Sequence, residues 1–163
     1  MRLERIKQSP HYIQDEFAYP VTTPMLSDGE STLKIFWDNF WAKKQQTVPT
    51  QTIPTVKTNL LALNPQQDVV IWLGHSAYYI QLAGKRILID PVLSDHAAPF
   101  SFLVKAFKGS TLYKAKDIPE IDYLLISHDH YDHLDYATVT QLKDKVKNVV
   151  VPLGVGSHFE YWG

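Results

Sequence analysis

Apolar residues fall into short runs along the chain, most of them too brief and too continuous for helices. Val69-Val70-Ile71-Trp72-Leu73 is one such run, ended by Gly74, and predicts a buried strand. Ala77 to Leu82 and Arg86 to Asp90 are two further strand-like runs. Ala83-Gly84-Lys85 between them reads as a three-residue hairpin turn. Ile121 to Ser127 is a nearly continuous apolar strand. Leu134 to Lys145 then sets Leu134, Ala137 and Leu142 at helical spacing, and Asn148-Val149-Val150-Val151-Pro152 returns to strand. Strand, helix and strand in so short a stretch form a βαβ unit, which implies parallel strands covered by helices.

The flanks are less regular. Residues 1–67 read as an N-terminal extension and irregular lead-in, and residues 68–163 as the main domain. Pro10, Pro20, Pro24 and Gly29 break the early chain. Thr32 to Lys44 carries Leu33, Ile35, Phe36, Phe40 and Trp41, which predict one face of a short helix anchored on the main domain. Thr47 to Thr58 is rich in Thr and Pro and predicts irregular structure. Leu93 to Lys116 is a long connection holding Phe100, Phe102, Leu103, Val104 and Phe107. Such residues either pack a loop onto the body or line a substrate entrance.

Composition narrows the chemistry. With 163 residues, 45% apolar and 20% charged, the chain belongs with globular domains. Sixteen basic residues face seventeen acidic ones, for a net charge of -1, so no basic footprint for nucleic acid is expected. There is no cysteine, which removes disulfides and thiolate ligands. No apolar window approaches a membrane span and no signal peptide is visible, so a cytoplasmic setting is expected.

The chemistry-bearing segment is Ser127-His128-Asp129-His130-Tyr131-Asp132-His133, of the form H-x-H-x-D-H. Residues two apart in an extended segment point the same way, so His128 and His130 can converge on one ion. Where the chain turns into the helix, Asp132 and His133 can face a second. Imidazole and carboxylate together suit zinc, and also manganese or iron. Position supports this, because α/β folds hold ligands at the carboxyl ends of parallel strands.

These four residues resemble the signature of the metallo-β-lactamase superfamily. Trp72-Leu73-Gly74-His75-Ser76, Ile89-Asp90-Pro91, the stretch Leu125 to Asp135 and Val151-Pro152-Leu153-Gly154 resemble, more narrowly, the branch of N-acyl-phosphatidylethanolamine phospholipase D and its bacterial relatives. The resemblance spans about residues 68 to 163, and more weakly Ser9-Pro10. It implies an α/β fold, the αββα sandwich, with two metals at its edge. His128 and His130 would hold the first, Asp132 and His133 the second, and Asp132 would orient a metal-activated water. Asp90, Asp129 and Asp135 are candidates to steady the imidazoles, Asp90 foremost because it ends a strand. His75 would either touch substrate near the metals or serve as a structural hydrogen-bonding residue. His11, His96 and His158 carry no pattern.

The implied activity is metal-dependent hydrolysis of a phosphodiester or another small-molecule ester, with a phospholipid as the branch's substrate. Transient membrane contact through Phe100 to Phe107 would follow. The resemblance also implies further metal ligands beyond Gly163, so the chain supplies the N-terminal half of the sandwich. The alternative reading is a catalytically incomplete fragment, or an assembly half that binds metal weakly and meets an oligomeric partner or a complementing C-terminal half.

Overall fold

A computed structural model describes residues 2–21, 26, 31–41, 47–97 and 105–163. These fall into two units, Met1–Val48 and Pro49–Gly163. The first unit holds helix α1 (Arg2–Lys7), a two-stranded hairpin of β1 (Tyr12–Ile13) and β2 (Glu16–Phe17), and helix α2 (Thr32–Trp41). Aromatic pairs at helical spacing follow from the α2 sequence, with the rings of Phe36 and Phe40 6.3 Å apart and those of Trp37 and Trp41 5.5 Å apart. The helix was expected to reach Lys44; residues 42–46 lie outside the described residues.

The second unit is built on one five-stranded sheet in simple sequence order: β3 (Val69–Gly74), β4 (Ala77–Leu82), β5 (Lys85–Ile89), β6 (Ile121–Leu125) and β7 (Val146–Val150). β3, β4 and β5 form an antiparallel meander, and β5, β6 and β7 run parallel. Helix α3 (Tyr136–Leu142) makes the crossover from β6 to β7, as the βαβ pattern predicts, and helix α4 (Gly156–Trp162) follows. α3 starts two residues later than its apolar spacing suggests, because Asp135 caps it by accepting the Ala137 N–H at 3.2 Å. The hairpin turn is also tighter than expected. Leu82 pairs with Lys85, leaving Ala83 and Gly84 at φ 49° and 73°. That is the doubly left-handed two-residue turn that follows the natural strand twist. The Ala83 N–H is held by the Asp68 carboxylate at 2.9 Å.

One face of the sheet is packed. Leu73, Tyr79, Leu88 and Leu124 point into a core closed by Leu60, Ile118, Leu134, Val139 and Leu142. Gln81 is buried on the same face, with its amide donating to the carbonyls of Asn64 and Gln67, both at 2.6 Å. A buried amide is tolerated there because its donors are used. The other face presents Val70, Trp72, Tyr78, Leu82, Tyr123 and Val150, all exposed. Of the aromatic loop, Phe107 is exposed, while Phe100 and Phe102 lie outside the described residues. No described helix is long and apolar enough to cross a membrane.

Candidate metal centre

Strand direction gathers the site. β3 and β5 both run antiparallel to β4, and β6 runs parallel to β5, so the C-terminal ends of β3, β5 and β6 share one sheet edge. His75 follows β3, Asp90 follows β5, and Ser127 to His133 follow β6. Diverging connections at such an edge leave a crevice for ligands.

Asp90 organises the floor. It is 4% exposed and sits in the left-handed region at φ 42°. Its carboxylate accepts the Ser127 N–H at 2.7 Å and the Ser127 hydroxyl at 2.6 Å, and lies 2.9 Å from His133 Nδ1. Three partners compensate the burial of the charge. A carboxylate at Nδ1 holds the ring proton there and turns the Nε2 lone pair outward, which is the arrangement a metal-binding imidazole requires. Ser127 extends the same support, since its Oγ lies 2.9 Å from His128 Nδ1.

The loop then folds back on itself. The N–H groups of His133 and Leu134 both donate to the His130 carbonyl, at 2.9 and 2.8 Å. This turn brings the imidazoles together: His128 and His130 meet edge to face with ring centroids 4.6 Å apart, and His128 and His133 are tilted at 44° with centroids 3.9 Å apart. Asp132 Oδ2 lies 3.7 Å from His133 Nε2 and 3.0 Å from His75 Nε2. One ligand atom from each of His75, Asp132 and His133 falls within 4.8 Å of the others. Partial burial opposes the ionised form of Asp132. Its backbone hydrogen bond, the bond from His75 and the charges of His133 and His75 outweigh that and hold its pKa below the ordinary carboxylate value. Clustered nitrogens and a carboxylate held ionised are a donor set suited to a divalent cation of the zinc, manganese or iron type.

Of the other aspartates considered, Asp135 serves α3 and the loop after β5. It caps the helix, accepts the Thr138 hydroxyl and receives the Ser94 N–H at 3.3 Å. Asp129 lies 3.8 Å from His158 Nε2. Beside the motif opens a cleft of about 620 Å³, lined by Asp129, His130, Asp132, Tyr131, Tyr136, His158 and Trp162. Neither Ser127 nor His158 stands out in the sequence as a site residue. Ser127 carries a weak signal, being the hydroxyl residue between a strand and the first histidine; His158 carries none.

Residues 85–163 match the family model described as the beta-lactamase superfamily domain. An uncharacterized protein of Mycobacterium tuberculosis is 33% identical over 96% of the chain and 42% of its own length. The N-acyl-phosphatidylethanolamine-hydrolyzing phospholipase D 1 of Caenorhabditis elegans is 39% identical over 52% of the chain and 24% of its own length. A protein of Caldivirga maquilingensis described as a metal-dependent hydrolase is 35% identical over 50% of the chain and 30% of its own length. The chain thus spans less than half the length of these relatives. Residues 85–163, which include the whole H-x-H-x-D-H segment, are thus similar to the β-lactamase superfamily domain.

Proposed function

We propose that the protein acts as a metal-dependent hydrolase of phosphodiesters, with a phospholipid as the favoured substrate. The observation that carries this reading is the gathering of His128, His130, Asp132 and His133 at one sheet edge, with Asp90 and Ser127 setting the outward ring nitrogens. In this reading His128 and His130 hold one cation and Asp132 and His133 a second, zinc being the first candidate and manganese or iron the others. Bound there, such cations acidify water and steady the charge that builds on a phosphoryl oxygen. Asp132, kept ionised, accepts a hydrogen bond from the attacking water and aims it. The neighbouring cleft, with Tyr131, Tyr136 and Trp162 on its walls, has the size and apolar lining to seat part of a lipid or another organic ester. The phosphodiester preference is supported by similarity to a relative named as a phospholipase D.

A second reading is favoured by the exposed apolar sheet face. Here the chain is one half of an assembly, completed by a C-terminal half that brings a second sheet, and binds metal weakly by itself. One experiment bears on both. Turnover of bis(p-nitrophenyl) phosphate is measured with added zinc or manganese, alongside metal content and solution mass. The hydrolase reading expects turnover that disappears in His130→Ala. No turnover with any of these metals, in a monomer holding little metal, supports the second reading and overturns the first for this chain.

A further inference from the structure

On the metal-dependent reading of the site, we propose that His75 is a third donor to the cation held by Asp132 and His133. Donors around one tetrahedral zinc lie about 3.3 Å apart, given bond lengths near 2.0–2.1 Å. His75 Nε2 and Asp132 Oδ2 are already 3.0 Å apart, and Asp132 Oδ2 and His133 Nε2 are 3.7 Å apart. All three ligand atoms fall within 4.8 Å of one another, so small side-chain rotations bring them around one ion. The His75 and His133 rings meet edge to face, with centroids 5.6 Å apart.

His75 has φ 45°, a conformation that glycine or asparagine adopts far more cheaply than histidine. The surroundings enforce it. The Trp72 indole N–H donates to the His75 carbonyl at 2.7 Å. Gly74, at φ 118°, lies so close to the Ser110 carbonyl oxygen that a Cβ would collide with it. The β3–β4 pairing shifts register between Trp72 and Gly74. Strain maintained by so many contacts, at a sheet edge beside a cluster of donors, marks a side chain that must be aimed. An ion pair between His75 and Asp132 would not repay it, because both side chains are well exposed, at 58% and 40%, and such pairs contribute little.

The test is metal affinity, independent of turnover. Full-chain protein stripped of metal is titrated with Co²⁺ and Zn²⁺, following heat, metal bound after gel filtration and the visible absorption of Co²⁺. Wild type is compared with His75→Gly, which suits the left-handed backbone and keeps the fold, and with Asp132→Ala and His133→Ala. Far-UV circular dichroism checks each variant for folding. The expected result is a loss of about tenfold or more in affinity for one equivalent, in His75→Gly as in Asp132→Ala, with a changed Co²⁺ spectrum. Wild-type affinity and spectrum in His75→Gly, with both lost in Asp132→Ala and His133→Ala, would overturn the role of His75 and leave the hydrolase reading standing. Wild-type metal binding in all three variants would overturn both.

Discussion

The two faces of the central sheet have nearly the same composition and opposite surroundings. Tyr79 and Leu88 on one face are fully buried, while Tyr78 and Leu82 on the other are exposed. Along β3 the alternation is apolar against apolar, with Val70 and Trp72 outward and Ile71 and Leu73 inward. A sheet meant to face water on one side alternates apolar with polar; one covered on both sides does not. The strands are therefore written for two packed layers, and the described residues supply one. An apolar patch this continuous marks an interaction surface.

The sharpest test of the contrast is the packed face. Leu88→Ala should cost about 2–5 kcal/mol, from lost transfer energy plus the cavity left behind. Urea denaturation gives the number, and an unchanged slope would show that the unfolded state is unaffected. A cost below about 1 kcal/mol would mean that the inward face is not a close-packed core, and the difference between the faces would vanish.

At the C-terminal edge of the sheet Asp90 is buried beside the candidate metal ligands. Asp90→Asn keeps the shape and tolerates the left-handed backbone. Its carbonyl oxygen can keep the Ser127 N–H, but its amide donor then stands where the Ser127 hydroxyl and His133 Nδ1 expect an acceptor. Stability should fall by about 1–3 kcal/mol, and metal affinity by about 10–100-fold as His133 loses its orientation. Thermal denaturation and metal titration read the two separately. Lost stability with unchanged affinity would make Asp90 a structural residue and detach it from the site.

The same contrast explains what the sequence made legible. Strand runs were visible because Gly74, Ala83-Gly84 and Pro152 punctuate them, and the parallel pairing of β6 and β7 followed from the intervening helix. The dense motif needed no fold to be noticed. Less visible was whatever depends on hydrogen bonds between distant segments. Ser127 gains its role from Asp90, 37 positions away, and His75 meets Asp132 across 57. The start of α3 was misplaced because Leu134 looks helical by periodicity while Asp135 caps one residue later. The β1–β2 hairpin has two residues per strand, too few for any period to register. The apolar run Val69 to Leu73 predicts a buried strand, yet its alternate side chains are exposed, because hydropathy records what a face is suited to rather than what covers it.

Leu82→Ala is the matched control and carries the smallest expected effect. The chemical change equals that at Leu88, but Leu82 is 53% exposed and Leu88 fully buried. If the outward face stands open in solution, removing the side chain creates no cavity and costs within about 0.5 kcal/mol. If a second layer covers it, whether another copy or a complementing half, the cost rises toward the Leu88 value, and it becomes dependent on protein concentration. Measuring Leu82→Ala and wild type at two concentrations, alongside solution mass, separates the cases. A small, concentration-independent change in a monomer leaves the face uncovered; a large one that shrinks on dilution means that the apolar row on β3, β4 and β6 is already an interface.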